Sequence, residues 1–347
     1  MKKHHLGLLV AVALVLGAGL FLYFRLGDSG FAWTRFVDVL RQVSPGWMTV
    51  AISLILGAYV VRAIRWRIMI RPMAPQATIW EITVATFIGF TAVVLFGRAG
   101  EPVRPYLIAR KYGLPFSSQI AAWLVERILD LLMVLSLFGL ALSQTSEAGW
   151  APDSKLHTAL RAAGWIAGLT GAGCLAALVA LRRYRGRIRS RLEESLSFLP
   201  EGPLAKIQKV IHAFDEGMES TRDPASLWLL VGTTIVEWVL IAVVFFSVIR
   251  AFPAASHLSI NEVLTTMGFV VFAGAIQIPG VGGGMQIATI LVLTEMYGVS
   301  VEAASGIALV LWATNFLISL PLGLTMAFHQ GIHWRTMRHV GEENNLG

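Results

Sequence analysis

Long runs of apolar residues dominate the chain, and polar residues are largely confined to the segments between them. About 20 consecutive apolar residues suffice to cross the hydrocarbon core of a bilayer as an α-helix. A backbone in lipid must also satisfy its own hydrogen bonds, which favours helix. The pattern predicts an all-α, polytopic membrane protein that forms a single integral membrane domain over residues 1–347. The predicted full spans are Leu6–Phe24, Trp47–Ile70, Ser117–Leu142, Ala162–Leu181, Leu227–Ile249 and Ala303–Phe328.

Two further apolar stretches, Ile79–Arg110 and Val263–Tyr297, are interrupted near the middle by glycines. The interruptions read Phe-Gly-Arg-Ala-Gly-Glu-Pro at 96–102 and Ile-Pro-Gly-Val-Gly-Gly-Gly at 278–284. Each half is shorter than a comfortable span, so we expect two re-entrant helical hairpins. Irregular backbone of this kind is tolerated at membrane depth only where protein or a water-filled cavity surrounds it.

The two broken stretches also align with each other without gaps when the chain is shifted by 185 residues. The matching glycine breaks and a shared Tyr-Gly carry most of the weight. The shift predicts repeat units at about 79–142 and 263–328. The aligned pairs are Phe87 with Phe272, Gly89 with Gly274, Gly97 with Gly282, Tyr112 with Tyr297, Gly113 with Gly298, Val125 with Val310, Glu101 with Gln286, and Asp130 with Asn315.

The distribution of basic residues predicts the orientation of the chain, because loops rich in lysine and arginine stay in the cytoplasm. Lys2 and Lys3 place the N-terminus there, and the basic loop at 182–226 is predicted to be cytoplasmic. The second span ends beside Arg62, Arg65, Arg67 and Arg71, on the same side. Gly27–Gly46 and Gln144–Arg161 then fall outside as loops. The assignment predicts a multi-pass protein of the cytoplasmic (inner) membrane with both termini in the cytoplasm.

This orientation is consistent only if each broken stretch enters and leaves on one side. The first hairpin then enters from the cytoplasm and the second from outside, so the two units are inverted. Many secondary transporters have this architecture, with broken helices meeting near the midplane. A duplicated scaffold without a transport role is the simpler alternative.

Composition agrees with a membrane protein, since 56% of the residues are hydrophobic and only 14% are charged. A typical soluble domain is roughly 25% charged. The net charge is +7, and the basic residues cluster between the apolar runs, which is the pattern that determines orientation in a membrane. We therefore expect no nucleic-acid partner. The single cysteine, Cys174, excludes an internal disulfide. His329 and His333 lack a nearby acidic residue, and we predict neither a metal site nor a cofactor.

Charged residues inside the apolar runs require an explanation, because a charge at the centre of a spanning helix costs at least ~2.5–3.5 kcal/mol. Glu126, Arg127 and Asp130 share one span, where Arg127 and Asp130 can pair across three positions. Glu237 lies alone in its span and needs a partner from another helix. Structural ion pairs that fix helix registry and a binding site for a polar ligand both account for these residues.

The first hairpin adds Arg98, Glu101 and Arg104, which stack on one side if they are helical. A glycine turn that opens a helix presents free N–H groups and the positive end of the helix dipole, which suits a phosphate. The Gly282–Gly284 turn could form a second such anion nest from the opposite side.

The motifs themselves resemble a known family. Gly97-Arg98-Ala99-Gly100-Glu101-Pro102-Val103-Arg104, Tyr112-Gly113 and Glu126-Arg127-Ile128-Leu129-Asp130 are similar to the pattern of the lysylphosphatidylglycerol synthase transmembrane region, or flippase-like integral membrane family. Pro279-Gly280-Val281-Gly282 and Tyr297-Gly298-Val299-Ser300 resemble its second signature. The resemblance implies a lipid flippase-type transporter of about eight membrane segments. Positions carried over from it are Arg98, Gly100, Glu101, Arg104, Glu126, Arg127, Asp130, Pro279, Gly280 and Gly282.

Two departures from the family pattern affect this expectation. Members usually have Gly-x-Arg-Glu after the second glycine turn, whereas this chain has Gly284-Met285-Gln286 and so lacks two charges. The chain also carries no soluble aminoacyl-transferase domain, so we do not expect it to make lysyl-lipid.

The sequence thus favours a non-enzymatic transporter of an anionic phospholipid or a polyprenyl-phosphate-linked lipid. Its partners would be membrane lipids and envelope-synthesis enzymes; the oligomeric state is not indicated. A polyprenyl-diphosphate phosphatase-like enzyme and a non-transporting scaffold of an envelope-synthesis complex are the alternatives. The predicted substrate-binding residues are Arg98, Gly100, Glu101, Arg104, Glu126, Arg127, Asp130, Glu237, Pro279, Gly280, Gly282, Gly283, Gln286 and Asn315.

Overall fold

The computed structural model describes residues 31–143, 224–274, 277–278 and 282–331, together with isolated positions between 162 and 173. The spans predicted at Leu6–Phe24 and Ala162–Leu181 lie wholly or mostly outside these residues, as do the basic loop at 182–226 and the predicted site residues Pro279 and Gly280.

The described residues are almost entirely helical. Before the gap, the helices are α1 (Trp33–Arg41), α2 (Pro45–Ile70), α3 (Ile79–Phe96), α4 (Val103–Tyr112) and α5 (Phe116–Ser143). After it follow α6 (Pro224–Arg250), α7 (Ile260–Ala273), α8 (Gly284–Leu291) and α9 (Val301–His329). Short 3₁₀ segments lie at Gly97–Gly100 and Pro253–Ala255, and α8 continues into a π-helical turn at Val292–Met296. The strands among the described residues are a two-residue pair, Gln277–Ile278 with Gly282–Gly283.

Four helical segments are long and apolar enough to cross a bilayer. They are Pro45–Ile70, Ile79–Gly100, Ala225–Arg250 and Val301–His329. Large apolar side chains such as Trp228, Leu317 and Phe328 point away from the protein with more than half of their surface exposed. A surface of this kind needs lipid or a partner to cover it. The chain is therefore a multi-pass membrane protein.

The helix at each predicted span within the described residues is confirmed to within about three residues at either end. Helix α5 has 28 residues, about 42 Å, and matches the predicted span Ser117–Leu142 as a helix. It differs from the four segments above in carrying three charged residues, Glu126, Arg127 and Asp130, close together in its middle.

Both predicted breaks are present. After α3 the chain turns at Gly97, whose φ of 63° favours glycine, and continues as α4, which packs back against α3. The second break lies between α7 and α8, where Gln277–Ile278 and Gly282–Gly283 pair as antiparallel strands. Helix α7 has 14 residues and is a half-helix as predicted. The first limb is longer than predicted, since α3 and its 3₁₀ turn together make 22 residues and meet the length of a full span. The second limb, α4, has only 10 residues, so the two limbs of the first hairpin are unequal.

The same order of elements occurs twice. A capping box starts α3 at Thr78–Glu81, and another starts α7 at Ser259–Glu262. Later in each unit a left-handed glycine ends the short helical limb, Gly113 at φ 65° and Gly298 at φ 64°. The following long helices, α5 and α9, begin at residues 116 and 301, which the 185-residue shift superposes. The left-handed glycines and the starts of the long helices follow the predicted alignment, whereas the capping boxes are 181 residues apart, four fewer than the shift. The orientation of each unit in the membrane stays a prediction.

Helix α1 was not predicted, because residues 27–46 were assigned to an outside loop. It is short, and its apolar residues alternate with polar ones, so it lacks the continuous run that identified the spans. It packs against α9, and the amide just before it, Ala32 N, donates to Glu302 Oε1 at 3.1 Å.

Two pairs of packed helices surround the interior of the protein. Helices α2 and α6 pack side by side, and Ser44 N, before α2, donates to Ala251 O, after α6, at 2.9 Å, so they run antiparallel. Helix α3 packs on α9, where Thr91 Oγ1 donates to Ser319 O at 2.6 Å. Helix α5 contributes to the interior between these two pairs through its contacts with α4, α6 and α7.

Candidate functional site

A buried arginine of α2 joins carboxylates from two other helices. Arg65 is completely buried, and its guanidinium donates to both oxygens of Asp130, with Nη1–Oδ1 at 2.7 Å and Nη2–Oδ2 at 3.3 Å. Its Nη2 lies 3.3 Å from Glu126 Oε1, and its Nη1 lies 3.1 Å from Glu237 Oε2. Arg65 therefore links α2 to α5 and α6 through charge-assisted contacts, the strong class of hydrogen bond.

Glu237 has the partner from another helix that the sequence required. Arg62 Nε donates to Glu237 Oε1 at 2.5 Å, and only 1% of the glutamate is exposed. Arg62 is one turn before Arg65 on α2, so both arginines face α6. The Arg62 guanidinium also lies 4.5 Å from the ring centre of Phe90, a cation–π contact with α3.

Glu126 is the meeting point of three arginines. Its Oε1 lies 2.7 Å from Arg104 Nη2, 2.6 Å from Arg127 Nη2 and 3.3 Å from Arg65 Nη2. Arg104 comes from the second limb of the first hairpin and stacks on Trp66 with its guanidinium carbon 4.0 Å from the ring centre. The predicted pair of Arg127 with Asp130 is confirmed at 3.2 Å.

We call these residues the ionic cluster: Arg62, Arg65, Arg104, Glu126, Arg127, Asp130 and Glu237. Four arginines meet three carboxylates here, so within the described residues the cluster carries one positive charge in excess. Its members come from α2, α4, α5 and α6. Most of its pairs are shielded from water, and they hold these helices in register. A structural role therefore explains Arg65, Glu126 and Glu237 without a ligand.

A cavity of about 570 Å³, the main cavity, opens beside the cluster. This volume lies within the range typical of small-molecule sites. Three arginines, one carboxylate and neutral polar groups form part of its wall, and apolar side chains of α2, α5, α6, α7, α8 and α9 form the rest. Its polar lining residues are Tyr59, Arg62, Arg98, Arg127, Asp130, Trp238 and Asn315. The wall is thus amphipathic, with cationic groups on one part and apolar surface on another.

Asn315 lines the main cavity on the α9 side, as its alignment with Asp130 suggested. It accepts a hydrogen bond from the Tyr59 hydroxyl at 3.2 Å. Trp238 Nε1 donates to Asp130 Oδ1 at 3.3 Å, and both residues line the same cavity. These contacts join α2 to α9 and α5 to α6 around the cavity wall.

The predicted pair of Arg98 with Glu101 is confirmed, with Arg98 Nη1 2.6 Å from Glu101 Oε1. Arg98 Nη2 reaches Gly274 O at the end of α7, 3.3 Å away, so it connects the two hairpins. Just over half of the Arg98 side chain is exposed. Its ion pair within the described residues is with Glu101 and not with Glu126. Arg127 pairs with Glu126 and lines the main cavity together with Arg98.

The glycine turns serve local packing at the positions where their geometry is described. A Cβ on Gly100 would overlap the Ala92 carbonyl, so this glycine permits the turn to fold onto α3. In the second turn, Gly283 N donates to Gln286 Oε1 at 2.7 Å. That amide is already bonded to Gln286, so it is not the free phosphate donor that this glycine turn was predicted to supply. Gly282 lies in the strand pair, opposite Ile278.

The structure brings most of the predicted site residues together, but some of them line the main cavity and others are buried in the ionic cluster. Arg98, Arg127, Asp130 and Asn315 line the main cavity, whereas Glu126 and Glu237 are enclosed in the cluster. Gln286 and the Gly282–Gly283 pair belong to the second turn and are not among the residues lining this cavity.

Sequence reasoning missed Arg62, Arg65 and Tyr59. The two arginines were interpreted only as orientation signals at the end of a span. That orientation stays a prediction, and Arg65 is in addition buried and paired. Arg71 is the exposed arginine at this end. The spacing of Tyr59, Arg62 and Trp66 on one helical face was the available signal, together with the unpaired Glu237.

The chain also has sequence similarity to known proteins. The family model described as the lysylphosphatidylglycerol synthase TM region matches residues 8–323, nearly the whole chain. Glycosyltransferase AglD of Haloferax volcanii is 30% identical over 118 residues, which is 34% of this chain and 19% of AglD. The chain thus matches about a fifth of that curated relative. No solved structure matches.

Proposed function

The chain belongs to the family of the lysylphosphatidylglycerol synthase transmembrane region, and on that premise we propose that it moves an anionic lipid across the membrane. The headgroup would enter the main cavity while the acyl or prenyl chains stay in the bilayer. The observation that carries the proposal is the wall of that cavity, where Arg62, Arg98 and Arg127 adjoin a large apolar surface. An anionic headgroup joined to an apolar chain has matching chemistry at both ends.

The charge balance of the cluster supports an anionic rather than a cationic headgroup. Arg62 and Arg127 reach the cavity from the cluster, which already has one positive charge in excess. Planar guanidinium groups donate in a fork that suits phosphate oxygens. Asp130 is held by Arg65 and Arg127, so its charge is largely compensated before a ligand arrives.

The depth of the site also supports transport. Asp130 and Glu237 lie near the middle of α5 and α6, so helices that cross the bilayer would carry the cluster to about half depth. We further propose that the two repeat units are inverted, with the first hairpin entering from the cytoplasm and the second from outside. Arg98 bonds to Gly274 O where the two hairpins meet. Rocking of one unit against the other would then open the cavity to each side in turn.

The test is translocation of labelled lipid in vesicles that contain the purified protein. Three substrate classes are needed: a glycerophospholipid with one phosphate, a polyprenyl phosphate, and a polyprenyl-phosphate-linked sugar, since the matched relative is named as a glycosyltransferase. We expect at least one anionic class to cross faster than in empty vesicles, with a zwitterionic lipid crossing more slowly. Equal rates with and without protein for every class would refute the proposal. Release of phosphate from a polyprenyl diphosphate would instead indicate the enzymatic alternative.

A further inference from the structure

A second, smaller cavity shares Arg98 and Arg127 with the main cavity. It has a volume of about 90 Å³, and we call it the side cavity. Its wall comes from α3, the first glycine turn, α4 and α5. Arg98 and Arg127 line both cavities, so the two are neighbours that share these side chains.

The side cavity is strongly cationic for its size. Three arginines, Arg98, Arg104 and Arg127, contribute to its wall, and Glu101 is the single carboxylate among its lining residues. Glu101 is already paired with Arg98. Arg104 and Arg127 share the carboxylate of Glu126, which also serves Arg65. Arg127 also reaches Asp130 Oδ2 at 3.2 Å. With Arg98 and Glu101 counted beside the ionic cluster, five arginines meet four carboxylates, which leaves one positive charge in excess.

Unpaired donors of these arginines remain beside this cavity. Arg104 is 5% exposed, and its Nη1 is buried without a hydrogen-bond partner among the described residues. The same holds for Nε of Arg127. Stacking on Trp66 covers the face of the Arg104 guanidinium, whereas its N–H bonds lie in the plane of the group. Of these donors, Nη2 donates to Glu126 Oε1, and Nη1 is the one without a partner among the described residues. Buried donors of this kind are rare in folded proteins unless water or a ligand completes them.

From this geometry we propose that the side cavity is an anion subsite that takes one phosphate-sized group. The inference rests on the proposed function, because the neighbouring main cavity would hold the headgroup phosphate of the lipid. The shared arginines would then lie between two phosphates. This chemistry fits the second phosphate of a lipid diphosphate, and it equally fits free inorganic phosphate bound beside a lipid monophosphate.

Competition binding in lipid nanodiscs tests the subsite. A labelled polyprenyl monophosphate is displaced by unlabelled polyprenyl monophosphate or diphosphate, with and without inorganic phosphate. Val93 lines the side cavity and not the main one, so Val93→Phe would fill the side cavity without removing any charge. Val94→Phe is the matched control, since Val94 is half-buried on the same helix and lines neither cavity.

For the wild type we expect the diphosphate to bind about tenfold more tightly than the monophosphate, as charge-assisted hydrogen bonds would give. Val93→Phe should remove this preference and keep monophosphate affinity within about twofold, whereas Val94→Phe should retain the preference. Binding of inorganic phosphate that Val93→Phe abolishes would identify the free anion as the occupant. The subsite is refuted if the wild type shows neither effect, or if Val93→Phe and Val94→Phe behave alike. Vesicle translocation of the monophosphate lipid is scored separately, so loss of the subsite and loss of the transport function give different results.

Discussion

Replacing Arg65 by methionine is expected to lower the free energy of unfolding by about 3–5 kcal/mol, the cost of breaking a buried ion pair on one side. Arg65 is completely buried and contacts Glu126, Asp130 and Glu237. Without it, Asp130 loses its two-pronged partner, and Glu126 and Glu237 each lose one of their arginines in a largely buried environment. The thermal unfolding midpoint of the detergent-purified protein measures the effect.

Arg71→Met is the matched control for this prediction, because Arg71 follows the same helix but is exposed. We expect its unfolding midpoint to be unchanged. A second comparison combines Arg65→Met with Asp130→Asn, at the carboxylate that the arginine holds with two prongs. One arginine and one carboxylate are then removed together, so the cluster keeps its single positive charge in excess. This double variant should recover part of the lost stability, since replacing both members of a buried ion pair is often nearly neutral. An Arg65→Met protein that unfolds like the wild type would show that the cluster does not hold the helices together.

Replacing Arg98 by alanine is expected to slow translocation of the anionic lipid by about 10- to 100-fold, the equivalent of one charge-assisted hydrogen bond to phosphate. Arg98 lines both cavities and joins the two hairpins through Gly274 O. Because more than half of its side chain is exposed, its pair with Glu101 contributes at most about 1 kcal/mol to stability. The vesicle assay should therefore change while the unfolding midpoint stays nearly constant.

Arg110→Ala is the control for Arg98→Ala, since Arg110 is an exposed arginine near the end of α4 that lines neither cavity. It removes the same charge and should translocate lipid at the wild-type rate. Arg98→Lys keeps the charge but not the planar fork, and we expect an intermediate rate. Equal slowing by Arg98→Ala and Arg110→Ala would mean that general surface charge, and not the cavity, determines the rate.

The spanning helices were predictable because each one is encoded by its own continuous stretch of apolar sequence. Lipid requires long apolar runs, and these runs gave the positions of α2, α5, α6 and α9 closely. The glycine breaks were predictable for the same reason, since glycines interrupting an apolar run mark a turn. Helix α1 has no such run, so hydropathy gave no indication of it.

The ionic cluster could be predicted only in part, because its contacts join residues far apart in the chain. Arg127 with Asp130 and Arg98 with Glu101 lie three positions apart on one helix or turn, and both pairs were found from spacing. Arg65 meets Glu237 across 172 positions, which no local pattern encodes. The charge of Arg65 near a helix end also matched an orientation signal, and that explanation concealed its buried role.

The cavity itself has no sequence signature. Its wall combines Tyr59 and Arg62 of α2 with Asn315 of α9 and the side chains of five other elements. Only the packing of α2 against α6 and of α3 against α9 brings these residues around one space. The predicted residue types were largely right, but their division into cavity wall and buried support required the structure.

Photolabelling with an anionic lipid that carries a reactive group beside its phosphate tests most directly whether the headgroup enters the main cavity. We predict that the labelled positions lie on cavity-lining segments, around Tyr59 on α2 and around Leu131 and Val134 on α5. Excess unlabelled lipid and the Arg98→Ala substitution should both reduce this labelling. Labelling confined to the outward face of α6, at exposed residues such as Trp228 and Val236, would contradict a headgroup pathway through the cavity.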